Sequence, residues 1–152
     1  MAKRYVMRTC VDENDLRCDL EQAVVNADMS QLLQVWAEGA DLTCCLPSWD
    51  DGETALHLAV LREQGSTLHI VDFLIQNMPP KGLNKATNPP SILNVTGKNT
   101  ALHLCALHDK RECIKLLLRS GADYELRNSQ NKTPLDIAKE MGHTVCKELV
   151  SY

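Results

Sequence analysis

The feature that most constrains this 152-residue chain is a short apolar phrase that occurs three times. The phrase is TALHLAV from Thr54, TALHLCAL from Thr100 and, in altered form, TPLDIAKE from Thr133. The second interval is 33 residues and the first is 46 residues. Repeats with periods of roughly 20–50 residues are typical of arrays in which each unit buries its apolar face against its neighbours. We therefore predict a stack of equivalent units.

The clearest unit extends from Asn99 to Asn128. Thr100 is a residue type that caps helices, and an apolar stripe follows it. A second apolar stripe ends at Gly121, where a glycine can close a helix in the left-handed conformation. The unit is therefore predicted to be a helix, a tight turn and a second helix.

Three further segments have the same two-helix period. They are Asp19–Leu42, Glu53–Asn77 and Lys132–Tyr152. The first of them has Cys18 and Glu21 where the later units have Thr and His. An atypical first unit is expected of the end cap of a stack. The core of such a stack must be aliphatic, because the chain contains one Phe, two Trp and three Tyr.

These phrases resemble the ankyrin repeat, whose period is about 33 residues. The resemblance implies an all-α ankyrin-repeat solenoid of about four stacked helix-turn-helix repeats with short finger loops. The repeats are expected at about 13–45, 50–96, 97–128 and 129–152, after a basic N-terminal tail at 1–12. The long first interval is explained by Met78–Gly97, where four Pro residues oppose a helix and predict an elongated finger loop.

A finer resemblance is to the ankyrin block of the ASAP-type Arf GTPase-activating proteins. TLHIVDFLIQN, ECIKLLLRS and TPLDIAK carry it, and KRYVMRTC resembles the junction that leaves the zinc-finger domain of that family. It implies a protein-interaction module whose parent stimulates GTP hydrolysis on Arf at membranes, with zinc and catalysis confined to a domain outside this chain. The alternatives are a scaffold that packs against the adjacent Arf GAP domain and a free-standing cytosolic ankyrin adaptor.

Charge and cysteine usage narrow the classes of partner. The net charge is −4, with 7 basic and 13 acidic residues up to Gly97 and 9 basic and 7 acidic residues after it. We see neither the basic stripe that nucleic acid requires nor an apolar run long enough to span a membrane. Seven cysteines without disulfide spacing indicate a reducing compartment, hence the cytoplasm. A monomer that binds protein partners is expected.

No catalytic or metal signature is evident. His57 and His103 each follow a capping Thr by three residues, where one structural role, bonding to the cap and to neighbouring loop backbone, explains both. A zinc set of His103, Cys105, His108 and Cys113 is disfavoured, since residues two apart on a helix face opposite sides. Cys44 and Cys45 are interpreted as ordinary loop cysteines. The chain is therefore predicted not to be an enzyme and to bind no cofactor.

Partner contacts in ankyrin stacks come from the loop tips and the first helices, which line one concave face. Trp49 is the sharpest candidate anchor, with folding back on the first repeat as the alternative. Trp36 and Phe73 are predicted to lie in the core, and the basic residues of 110–119 to form a solvated face, with weak attraction to acidic lipid as the alternative. The predicted contact residues are Trp49, Asp50, Asp51, Arg62, Glu63, Lys98, Asn99, His108, Asp109, Ser129, Gln130, Asn131 and Met141.

Overall fold

Every regular element is a helix within residues 13–46, 52–62, 64, 67–87 and 97–144, which the computed structural model describes. An isolated antiparallel β-bridge between Cys45 and Thr54 closes the first finger loop. None of the helices in these ranges is both long and apolar enough to cross a membrane. The helices are α1 Glu13–Val25, α2 Met29–Ala37, α3 Ala55–Arg62, α4 Leu68–Asn77, α5 Pro80–Leu83, α6 Ala101–Leu107, α7 Arg111–Arg119 and α8 Pro134–Met141.

The helices form two layers. In the first layer, α1, α3, α6 and α8 contact one another in that order. In the second layer, α2, α4 and α7 each pack against the first helix of their own unit, and α4 contacts α7. This arrangement confirms the predicted all-α stack of helix pairs. A continuous aliphatic core lies between the layers, with Leu20, Leu32, Leu58, Leu74, Leu102, Ile114 and Leu117 among its fully buried members.

Capping side chains and glycines fix where several helices begin and end. The Asp28 carboxylate caps α2 by accepting hydrogen bonds from the backbone N–H groups of Ser30 at 3.0 Å and Gln31 at 3.1 Å. After the second helices, Gly39 and Gly121 adopt φ values of +95° and +90°. The predicted closure of the third unit by left-handed Gly121 is thus confirmed, and Gly39 does the same in the first unit.

The prediction that prolines exclude helix from Met78–Gly97 is wrong for Pro80–Leu83, which forms α5. Pro80 occupies the first turn, where a helix tolerates a residue without an N–H group. A Cβ atom on Gly82 would come within 2.8 Å of Thr43 Cγ2, so α5 packs tightly on the loop that follows α2. Residues 88–96 lie outside the described part of the chain.

The α5 segment also braces two units that are not consecutive. The Lys85 ammonium donates to the carbonyl of Thr43 in the first unit. Asn84 Oδ1 accepts a hydrogen bond from the backbone N–H of Asp123, in the third unit, at 2.7 Å. The insertion is therefore partly an ordered link between loops on the second-layer side of the stack.

The core prediction is wrong for Trp36, whose side chain is 42% exposed. Leu32 and Val35 form the buried face of α2, and the larger indole lies to one side of them. There it contacts half-buried Phe73 edge to face, with ring centroids 5.7 Å apart and planes at 87°. Trp36 thus joins α2 to α4 at the surface of the second layer.

Truncation of Leu102 tests the assigned register. Leu102 is 1% exposed in α6, so Leu102→Ala should lower the free energy of unfolding by about 2 to 5 kcal/mol through lost contacts and the cavity left behind. Exposed Lys98 is the matched control, and Lys98→Ala should cost less than about 0.5 kcal/mol. Urea unfolding measures both, and similar losses for the two variants would contradict the register.

Candidate partner-binding surface

A buried histidine ties each of the two central first helices to the unit that follows. His57 Nδ1 lies 3.1 Å from the backbone N–H nitrogen of Thr54 and 2.9 Å from its hydroxyl. Its Nε2 lies 3.1 Å from the carbonyl oxygen of Asn99, in the next unit. Because a backbone N–H can only donate, Nδ1 is the acceptor, and the proton is on Nε2.

His103 repeats this arrangement one unit later. Its Nδ1 accepts from the backbone N–H of Thr100 at 3.1 Å, and its Nε2 donates to the Lys132 carbonyl at 2.9 Å. Asp136 stands at the same position of the last unit, where its carboxylate accepts from the backbone N–H of Thr133 at 3.0 Å. The predicted structural role of both histidines, bonding to the cap and to neighbouring loop backbone, is confirmed.

Burial keeps these imidazoles neutral. Each is 1% exposed, and burial lowers the pKa of His57 to about 4. Burial also lowers the pKa of His103. With Nδ1 accepting and Nε2 donating, neither ring has a nitrogen left for proton transfer to a substrate. The geometry therefore gives both histidines a structural role.

The finger loops are joined at their bases by further hydrogen bonds. The Asn99 carbonyl also accepts from the backbone N–H of Thr87 at 2.9 Å, and the Asn99 side-chain oxygen accepts from Asn128 Nδ2 at 3.1 Å. Gly97 and Ser129 exchange two hydrogen bonds, of 3.0 and 2.9 Å. Asn99 is thus buried, and its side chain holds two fingers together. Its predicted contact with a partner stays a prediction.

The structure leaves most of the predicted contact residues at the surface. Lys98 and Asn131 occupy equivalent finger positions with φ values of +56° and +59°, and both are exposed. Trp49, Asp50, Asp51 and Glu63 lie outside the described residues. Exposed residues of the predicted set are Arg62, Lys98, His108, Asp109, Ser129, Gln130, Asn131 and Met141. Whether they contact a partner stays a prediction.

A groove between α6 and α8 brings several of these positions together. We call it the α6–α8 groove, and its lining includes Leu104, Leu107, Gln130, Lys132, Glu140 and Met141. It encloses about 90 Å³, far below the roughly 300–1,000 Å³ typical of small-molecule pockets. Its size suits one or two side chains of a protein partner.

Leu107 is the groove residue that sequence reasoning missed. It is 38% exposed beside Met141, which is 52% exposed, so two large apolar side chains face solvent together. The equivalent residue of the last unit is Glu140, which pairs with Lys132 at 2.7 Å. A Glu at the equivalent position signals a solvent-facing site, and that signal could have identified Leu107.

Cys44 and possible metal ligands were two further candidates for chemistry in the sequence. Cys44 lines a cavity of about 430 Å³ with Arg17, and burial raises the pKa of its thiol, which makes it a poor nucleophile. Among the residues that the structure describes, no three His, Cys, Asp or Glu side chains are grouped to hold a metal ion.

Comparison with known proteins finds one recurring family. The family described as "Ankyrin repeats (3 copies)" matches residues 20–128 and 64–152. A Caenorhabditis elegans "Transient receptor potential cation channel subfamily A member 1 homolog" is 33% identical over 126 residues, which are 82% of this chain and 9% of that protein. The chicken "NF-kappa-B inhibitor alpha" is 30% identical over 96 residues, 61% of this chain and 26% of that protein.

Other relatives show the same partial coverage. The human "SH3 and multiple ankyrin repeat domains protein 2" is 38% identical over 60 residues, 40% of this chain and 3% of that protein. The chain thus spans about a quarter or less of the length of these three relatives.

Protonation of His57 should make the fold acid-sensitive. Its pKa of about 4 in the folded chain lies below the ordinary 6.5, so the unfolded chain binds more protons between these pH values. The free energy of unfolding should be fully retained above pH 6.5 and should lose about 3 kcal/mol as the pH falls to about 4. Urea unfolding across this range measures the loss.

The matched variants are His57→Gln and His69→Gln. The first should be less stable at neutral pH and lose less stability on acidification, because the titrating bridge is gone. The second replaces an exposed histidine of α4 and should retain the acid-dependent loss. An unchanged pH dependence in His57→Gln would contradict the assignment.

Proposed function

Because the chain belongs to the ankyrin-repeat family, we propose that its finger tips and first-helix ends form a binding surface centred on the α6–α8 groove. Ankyrin repeats are protein-interaction modules, since stacked repeats create extended surfaces. The observation that carries the proposal is the pair of exposed apolar side chains, Leu107 and Met141, beside the rigid finger bases.

The groove has the layout of an interface centre. Apolar anchors surrounded by polar groups are typical of the residues that dominate protein association. Here Leu107 and Met141 supply the apolar centre, while Gln130 and the Lys132–Glu140 ion pair supply the rim. Hydrogen bonds at the finger bases fix the backbone, which lowers the entropy that a partner must overcome.

A double variant tests this surface. Leu107→Ser with Met141→Ser should abolish capture of the partners that the wild-type chain retains from a cytosolic extract, because it removes both apolar anchors. Tyr124→Ser is the control, since Tyr124 is also 38% exposed and lies outside the groove lining. Capture is measured by quantitative mass spectrometry on variants whose unfolding curves confirm that they are folded.

Three outcomes would contradict the proposal. Retention of the same proteins by the double variant would remove the groove as the binding site. Equal loss in Tyr124→Ser would indicate nonspecific capture. Absence of any specific capture by the wild type would favour the alternative, in which the stack is a scaffold that packs against a neighbouring domain.

We propose that this chain is the interaction module of an ASAP-type Arf GTPase-activating protein. We propose that this parent protein is recruited from the cytoplasm to membranes. Two phrases carry this resemblance: TLHIVDFLIQN, which is α4 with its N-cap Thr67, and ECIKLLLRS, which lies in α7 and ends at its C-cap Ser120. In that setting the zinc and the catalytic arginine belong to a separate domain. The free-standing cytosolic adaptor is the alternative.

Single-turnover GTP hydrolysis on Arf tests whether catalysis belongs to the zinc domain and not to this chain. Arf should hydrolyse its bound GTP at the same rate, within about twofold, when a separate Arf GAP zinc domain is present with or without this chain added in trans, because in the proposed parent that domain supplies the transition-state arginine. An inert ankyrin protein of equal concentration is the control. A faster rate with this chain, but not with the inert protein, would show a direct catalytic contribution and contradict the prediction.

A further inference from the structure

The first unit contains a cavity between α1 and the loop that follows α2, which we call the α1 cavity. It encloses about 430 Å³, within the roughly 300–1,000 Å³ typical of small-molecule pockets. The lining residues are Leu16, Arg17, Leu20, Gly39, Ala40, Asp41, Cys44 and Cys45. The α1 cavity is therefore large enough to enclose a small molecule, whereas the α6–α8 groove is not.

Most of the wall of the α1 cavity is apolar. Leu16 and Leu20, on α1, are 9% and 0% exposed and belong to the core. Half-buried Ala40 and Cys44 pack against the same core from the loop. Burial raises the pKa of the Cys44 thiol, which therefore stays uncharged at neutral pH. This wall suits the hydrocarbon part of a ligand.

The Arg17 guanidinium supplies a positive charge to the lining. It donates to the carbonyl oxygen of Cys45 from Nε at 2.9 Å and from Nη2 at 2.6 Å. Both bonds use the Nε–Nη2 edge, so the Nη1–Nη2 edge keeps two parallel N–H groups. No carboxylate among the described residues pairs with Arg17. Because charges removed from water are generally paired, this edge calls for an anion.

Asp41, a carboxylate in the same lining, has partners of its own. Its Oδ1 accepts from the backbone N–H and the hydroxyl of Thr43 at 2.8 and 2.7 Å. These hydrogen bonds, together with the charge of Lys85, lower the pKa of Asp41. The Lys85 ammonium also donates to the Thr43 carbonyl, which holds it on this loop. Arg17 is therefore the group of the lining that is suited to bind an anion.

We propose that the α1 cavity binds a small apolar carboxylate, such as a medium-chain fatty acid. The carboxylate accepts two N–H groups from the Nη1–Nη2 edge of Arg17, a geometry that guanidinium favours. The hydrocarbon chain packs on Leu16 and Leu20. The Cys45 carbonyl holds the guanidinium in place beforehand, which lowers the entropy cost of binding. The α6–α8 groove belongs to the third and fourth units, so this site is independent of the function proposed above.

Two other small occupants fit the lining less well. A neutral apolar molecule would remove water from the Arg17 guanidinium without pairing it. An apolar ammonium ion would be repelled by Arg17 and would compete with Lys85 for Asp41. A carboxylate is the group with complementary charge.

Titration of the full ¹⁵N-labelled chain with small probes, followed by amide NMR shifts, tests the proposal at neutral pH. The probes are octanoate, octanol, octylammonium and acetate. Octanoate should bind saturably and shift the amide signals of residues 39–45. The others should bind at least about tenfold more weakly, because octanol and acetate each lack one half of the match and octylammonium has the wrong charge.

Variants then locate the site. Arg17→Gln should weaken octanoate binding at least about tenfold, because it removes the charge while its amide can still donate to the loop carbonyl. Cys44→Leu keeps the guanidinium and should weaken binding by a similar factor by filling the cavity, which guards against misfolding of the Arg17 variant. Arg119→Gln, at an exposed position of α7, is the matched control and should leave the affinity unchanged. Leu107→Ser with Met141→Ser should also leave it unchanged, so failure here is distinguishable from failure of the α6–α8 groove.

Several results would overturn the proposal. They are no saturable binding of octanoate, equal affinity for octanol or acetate, and unchanged affinity in Arg17→Gln. Tighter binding of octylammonium would assign the cavity to a cation at Asp41 instead. Tighter binding of a tetrapeptide that ends in a free Leu carboxylate would assign it to the C terminus of a protein.

Discussion

The interaction on which this stack depends is the buried imidazole that bonds its own helix cap on one side and the next unit on the other. The first helices α3 and α6 contain only 8 and 7 residues, well below the length at which an isolated helix is stable in water. His57 and His103 supply each with a cap and fix the distance to the following finger loop. Neutrality of the ring is required, because a protonated Nδ1 could not accept from the backbone.

This constraint explains why the two layers are held together by different contacts. The bridges and the Asn99–Asn128 hydrogen bond order the finger side, so Leu107 and Met141 are exposed on a rigid frame. On the other side, the second helices are joined by side-chain packing, which leaves room for the exposed Trp36 at the α2–α4 contact. The finger side and the second-layer side of the stack are thus each fixed by a different kind of contact.

Much of the architecture is predictable from the repeated phrase, and the exceptions have physical reasons. The role of the histidines is predictable because the same Thr-x-x-His spacing occurs twice. The exposure of Trp36 is not, since an apolar stripe does not show which of its residues lies at the edge of a helix contact. The burial of Asn99 depends on Asn128, 29 residues away, and α5 depends on the packing of Gly82 against Thr43.

The central claim is that neutral imidazoles, protonated at Nε2, join consecutive units. Long-range proton–nitrogen NMR correlation of the histidine rings tests it directly, because it identifies the protonated nitrogen of each ring. The account predicts that His57 and His103 are both protonated at Nε2 only, and that His57 remains neutral at pH 5.5. A proton on Nδ1 of either ring, or titration of His57 near pH 6.5, would contradict it.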